Sequence, residues 1–409
     1  MQTRSIRIHI ATAVAALAPA ACAGDQETGD AAGTRTQFRD SAGIRIVENT
    51  RPPEGSRLDW RLGPEPLVSI GRMEGEDPYL FDRVFGAAVL SDGRILIGDA
   101  GTKELRVFDR NGNHLETWGG EGEGPGEFEA AARPYALALI PGDSIVLWEY
   151  SFPELTVFGP DGEFLRRFTP ESSRWDYWDR RSHLRPLDVS GSGLILASQD
   201  DIYFDPMDVE VWDAAGEVRG SLGAHPGREA IRTGDDEPEA VMFGRYVRLQ
   251  AWGDLFIIGT NHRYEFRAFA LDGSLARIVR MDYALREPTE AHVEAYIAED
   301  VSWIPDDRAD QRAQRARDLR AMPVAEHLPA FAGIRGDDAL GHLWVYEYEA
   351  AGEETAGTLF NVFDAEGRVL GFFEMPEGMG ILEIGADYIL GRVENDLGVQ
   401  SVQLWPLER

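Results

Sequence analysis

From residue 84 onward, short apolar runs separated by turn residues recur in groups of four. In the first group the runs are 84–90, 94–99, 105–108 and 114–118, joined by Ser91-Asp92-Gly93, a polar link and Asn111-Gly112. Asp-Gly and Asn-Gly between β-rich runs predict hairpins in which both turn residues take positive φ. Four antiparallel strands per unit of this length are the signature of a β-propeller blade. The same grammar predicts blade two over 135–168, blade three over 184–222, blade four over 246–281 and blade five over 330–375. The last stretch holds only three strands, 381–384, 388–393 and 399–405.

A three-stranded remnant would leave an unpaired edge. Residues 66–70, Pro-Leu-Val-Ser-Ile, precede blade one and supply the missing fourth strand. The expected fold is therefore all-β: a six-bladed β-propeller whose N-terminal strand closes the last blade. An earlier extended piece, 44–47, is expected to pack outside the ring. A helical insertion is expected at about 286–328, between blades four and five. There Val293, Tyr296 and Ile297 fall at helical spacing after the cap Thr289, and a second helix runs from Asp306 to near Pro323.

One sub-pattern marks the units: a small or aliphatic residue, an aromatic, three spacers, then glycine. Its aromatics are Phe108, Phe158, Trp212, Phe269 and Phe363, at separations of 50, 54, 57 and 94 residues. The stretch Phe85-Gly86-Ala87-Ala88-Val89-Leu90-Ser91-Asp92-Gly93-Arg94-Ile95…Gly98-Asp99 resembles the NHL-type repeat. Leu105-Arg106-Val107-Phe108-Asp109 and the glycine-rich 118–128 resemble it too. From about residue 40 the chain resembles bacterial six-bladed propeller proteins, many of them secreted or lipid-anchored. That resemblance implies a binding platform.

Turns between first and second, and third and fourth, strands lie on one face and are uniformly short. Second-to-third loops and blade connections lie on the other face, which carries every long insertion: 170–183, 199–208, 224–245, 282–329 and 348–357. Loops over a rigid scaffold are where binding concentrates. The second strands end at this face in Asp99, Glu149, Gln199, Thr260 and Glu347. These five are candidates for a polar ring around the channel mouth that takes a cation or a hydroxylated ligand; solvated strand ends are the alternative. Trp175, Tyr177 and Trp178, interspersed with arginines, are further ligand-binding candidates.

The chain has 409 residues, with 40 basic and 71 acidic side chains and a formal charge of −31. Such a surface repels phosphate backbones, which argues against nucleic acid as a partner. The arginine-rich segment 308–320 is interleaved with Asp310 and Asp318, with Asp307 just before it, which points to local ion pairs. No Gly-x-Ser-x-Gly elbow, His-Glu-x-x-His pair or phosphate loop occurs. No cofactor or metal is assigned; calcium is compatible with a ring of carboxylates, but no motif calls for it. The leading reading is a non-catalytic binding module that recognises a peptide, protein or glycan on the long-loop face. The alternative is a metal-dependent hydrolase or lyase, similar to propeller lactonases, with its site in the channel.

Residues 1–21 read as a secretory signal, with Arg4 and Arg7, an apolar stretch at 8–17, and Ala18-Pro19-Ala20-Ala21. The segment resembles a bacterial lipoprotein signal, although Pro19 stands where leucine is usual. Cys22, the single cysteine, is then the lipidated N-terminus, and 22–42 a flexible tether holding the propeller, 43–409, at a cell-envelope membrane. Ordinary secretion is the alternative. Replacing Cys22→Ser is expected to move the protein from the membrane to the soluble fraction. An unmodified Cys22 in the mature protein, read by mass spectrometry, would end the lipoprotein reading.

Overall fold

The computed structural model describes residues 26–29, 35–130, 132, 134–149, 154–171, 184–199, 201, 205–231, 238–337, 339–353 and 357–409. Cys22, Trp175, Tyr177 and Trp178 lie outside them. Six antiparallel blades follow one another along the chain: four are separate four-stranded sheets, the fourth blade is part of a seven-stranded sheet, and the sixth is completed by N-terminal strands. Blade one comprises Val84–Val89, Ile95–Asp99, Glu104–Phe108 and His114–Gly119. Blades two, three, four and five begin with Pro134–Ile140, Arg185–Val189, Val247–Trp252 and Gly333–Asp337. The sixth has Met379–Ile384, Tyr388–Glu394 and Gln400–Glu408. First strands of neighbouring blades lie against one another, which makes them the inner strands of the ring.

Val68–Ile70 closes the sixth blade, antiparallel to its third strand, with Ile70 opposite Val402 and Val68 opposite Leu404. Val68 and Ile70 also share a core with Val84 and Phe108 of blade one. Val68–Ile70 thus seals the seam between the last and first blades, and Arg61–Leu62 pairs with the end of the same strand edge at Leu407 and Glu408.

The recurring aromatics pack between blades; Phe108, Trp212 and Phe363 are wholly buried. In each copy the pairing shifts by one residue just before the aromatic. The glycine that follows takes φ between +79° and +90°. Asp109 Oδ1 accepts the Asn111 and Asn113 backbone N–H groups, and Gly112 N–H donates to Asp109 O. This corrects the expected turn type. Only glycine is left-handed here, so the connection is an Asx-stabilised turn closed by a glycine bulge, not a two-residue turn with both positions at positive φ.

The N-terminal segment also departs from expectation. Strands β1 (Gln26–Gly29) and β2 (Arg35–Ser41) lie inside the stretch 22–42 assigned to a tether, and β3 (Ile44–Asn49) runs parallel to the outer strand of blade four. A hairpin is thereby added to that blade. The cause is the alternation of buried Thr36 and Phe38 with exposed Arg35, Gln37 and Arg39, a period of two that a composition-based reading overlooks. Buried Asn49 locks the junction. Its Oδ1 accepts from Thr36 Oγ1 (2.8 Å) and Val369 N (3.0 Å), and its Nδ2 donates to Arg280 O and Gly367 O.

The insertion forms α1 (Glu290–Ser302) and α2 (Ala309–Ala321). Thr289 caps α1 through a reciprocal pair with His292. Ile297 and Leu319 bury against Met242 and Phe243 of the connection between blades three and four, and against Leu328 and Ala350. Three loops thus share one apolar core. The α2 arginines pair mostly across the hairpin rather than within it: Arg315 with Asp300 and Arg320 with Glu294, both on α1. Antiparallel packing brings those carboxylates closer than the interleaved aspartates of α2.

Asn49→Ala is expected to destabilise the protein by about 3 kcal/mol, because buried donors and acceptors left unpaired cost roughly 1–3 kcal/mol each. A loss under about 1 kcal/mol on chemical denaturation would show that the junction does not depend on this amide.

Candidate functional site

Asp99, Glu149 and Thr260 end their second strands, whereas Gln199 and Glu347 lie one residue past the ends of theirs. Asp99 faces Val84, Glu149 faces Pro134, and Thr260 faces Val247, each at the start of an inner strand. Their side chains do different things. Asp99 is fully buried; it accepts the backbone N–H groups of Asp82, Arg83 and Gly101 and lies 3.6 Å from Arg106. Thr260 Oγ1 is 2.7 Å from His262 Nδ1. Gln199 Oε1 accepts the Asp208 N–H and lines a cavity of about 360 Å³ between blades three and four. Glu149 lines a different cavity of about 220 Å³ with Glu129, Glu154 and Arg167. Among the described residues no group of three or more His, Cys, Asp or Glu side chains is placed to hold a metal ion.

Glu347 belongs to the roomiest of these spaces, a cleft of about 730 Å³ on the long-loop side of blade five. Three segments distant in sequence build it. The N-terminal strap after β3 contributes Arg51, Glu54 and Arg57, the start of the insertion Tyr283 and Arg286, and blade five Tyr348, Glu353, Phe372 and Glu374. Leu58 N–H donates to Phe372 O (2.7 Å), so the strap runs along the outer strand of the blade. Trp60 then packs on Trp344 and Phe373.

Arg51 is the central strut. Its two terminal nitrogens donate to the two Glu347 oxygens at 3.0 and 2.8 Å, a fork-on-carboxylate geometry. Its guanidinium lies 5.1 Å from the ring centroids of both Tyr283 and Phe372. Burial opposes the Arg51 charge, but the Glu347 hydrogen bonds and charge outweigh it and raise its pKa. Below, Asn361 Nδ2 donates to Glu347 and to the Tyr264 hydroxyl. Burial, reinforced by the Glu347 charge, pushes the Tyr264 hydroxyl well above its ordinary pKa, so it stays a proton donor. Higher in the cleft, Arg286 pairs with Glu353, which also accepts the Ala350 N–H. Burial pushes Tyr348 up to about 12.

Glu347 was visible in the sequence as a strand end. Arg51 and Tyr283 carried no signal, because nothing local reveals that residues 296 and 64 positions away converge on one carboxylate.

The fold places the molecule among six-bladed β-propellers. No family model and no curated protein matches the chain. Among solved structures it is similar to a putative exported protein from Bacteroides fragilis, at 12% identity over 89% of this chain and 99% of that one, with TM-score 0.49. It is also similar to virginiamycin B lyase from Staphylococcus aureus (11% identity, 92% and 93% covered, TM-score 0.38). A third is regucalcin, a calcium-binding protein from Agrobacterium tumefaciens (11%, 85% and 96%, TM-score 0.39).

Arg51→Ala is expected to cost about 2–3 kcal/mol. That is below the usual range for breaking a buried pair, because 34% of the Arg51 side chain meets solvent. Adding Glu347→Gln should return part of the loss. Strict additivity in this double-mutant cycle would show that the two side chains are not coupled.

Proposed function

We propose that the protein is a non-catalytic, NHL-type binding propeller of the cell envelope, lipid-anchored through Cys22, and that the strap cleft captures a polypeptide partner presenting basic and apolar side chains. The observation that carries this reading is the lining of the cleft. Five carboxylates (Glu54, Glu347, Glu349, Glu353, Glu374) stand against three guanidinia, around the apolar surfaces of Tyr283, Tyr348, Leu359 and Phe372. The three guanidinia each pair with a glutamate of the cleft, so among the described residues Glu54 is the carboxylate that an arriving cation meets. Aromatic walls with a charged rim suit a side chain that is apolar along its stem and cationic at its tip.

Trp175, Tyr177 and Trp178, in a connection expected on the same face, are proposed to extend the surface, as are Glu149, Gln199 and Thr260. Asp99 is engaged by the backbone around it and is assigned a supporting part. No observation among the described residues favours the metal-dependent hydrolase or lyase.

Labelled tripeptides combining arginine or lysine with leucine or tyrosine serve as probes in fluorescence anisotropy. Basic peptides are expected to bind in a salt-sensitive way, and Glu54→Lys to weaken them at least about fivefold. Equal binding of acidic tripeptides, or no binding of basic ones, would sink the proposal.

A further inference from the structure

A second cavity has the opposite electrostatic character. It lies between the starts of the inner strands of blades three and four and has a volume of about 360 Å³. Among the described residues, Arg185, Arg248 and Asp201 line it, with Ser198 and Gln199 as polar neighbours and Leu187, Val247 and Leu249 as an apolar wall. Among these described lining residues guanidinia outnumber carboxylates, the reverse of a chain with 71 acids to 40 bases.

Arg248 is held from behind: Nε and Nη2 both donate to Ala332 O, at 2.9 and 2.7 Å. Among the described residues its remaining terminal nitrogen has no partner, and Arg248 has no ion pair. Tyr246 sits between two guanidinia, with Arg228 3.9 Å and Arg248 5.3 Å from its ring centroid. Arg228 adjoins the cavity through its backbone N–H, which donates to Asp201 O (2.6 Å), and its Nη2 donates to the Tyr246 hydroxyl. Arg228 Nε is shielded from water with no hydrogen-bond partner, and Arg228 too lacks an ion pair among the described residues. Burial, joined by the Arg228 charge, lowers the pKa of Arg248 against the pull of Tyr246 and Asp201. Partly buried cations crowded in this way gain from an arriving anion.

We infer that this cavity binds a small carboxylate ligand with an aliphatic body, the carboxylate on Arg248 and Arg185 and the body against Leu187, Val247 and Leu249. Arginine presents paired donors that match a carboxylate, and an anchored guanidinium binds at little cost in side-chain entropy. The volume suits a small molecule and the wall favours an apolar one. This site is separate from the strap cleft and stands whether or not the cleft takes a peptide.

The test is isothermal titration of the purified full-length protein with N-acetyl-leucine, using N-acetyl-leucine amide and inorganic phosphate as comparison probes. N-acetyl-leucine should bind, the amide should not, and phosphate should bind at least about tenfold more weakly for want of an apolar body. Arg248→Gln and, separately, Arg185→Gln should each weaken N-acetyl-leucine at least about tenfold. If Arg248→Gln fails to fold, Arg185→Gln alone decides. Equal binding of the amide, equal binding of phosphate, no binding of any probe, or undiminished binding by a folded variant would each overturn the inference.

Discussion

Ring closure is the constraint on which the rest of the molecule depends. A propeller reduces its sheet edges to short, protected ones only when its ends meet, and here they meet through Val68–Ile70 and Arg61–Leu62, both laid on the strand Gln400–Glu408. Because β3 is docked on the outer edge of blade four, the chain must cross blade five before it can close blade six. The crossing segment is the strap. It pairs Leu58 with Phe372, seats Trp60 on Trp344, and sends Arg51 into Glu347. The cleft is therefore a consequence of how the ring is closed.

The long loops add a second consequence. On the irregular face α1, α2, the segment around Met242-Phe243 and the loop at Ala350 share an apolar core. That core turns separate insertions into one platform over blades three to five. Rigid walls matter for recognition, because a preformed cleft avoids the entropy of ordering loops when a partner arrives. The charge distribution then divides the platform. Most of its arginines are consumed by glutamate and aspartate partners, while Arg228 and Arg248 crowd Tyr246 near the inner strands.

Much of the architecture is legible in the amino-acid sequence. Phe108, Trp212 and Phe363 and their partner glycines mark the third-to-fourth hairpins because the packing between blades demands an aromatic and the turn a left-handed residue. Thr289 announced α1 through its capping position. The turn type is not legible, because Asn-Gly suggests two left-handed residues while Asp109 two positions earlier imposes a different hydrogen-bond pattern. The N-terminal hairpin was missed because its composition resembles a linker, and only the alternation of Thr36 and Phe38 betrays it. Glu347 and Gln199 were chosen for standing at strand ends; that position does not say which faces a cavity, and Asp99, chosen on the same ground, is wrapped in backbone N–H groups.

The amino-acid sequence by itself determined the unit, its number and the closure, because hydrophobic period, turn chemistry and chain order are local properties or simple counts. Tertiary structure alone decided where the chemistry lies. Arg51 and Glu347 are 296 residues apart in the chain, and the fork between them exists only because the strap must cross blade five. Whether an ionisable side chain is paired, stacked or left facing a cavity depends on which distant segment arrives beside it. No local pattern encodes that.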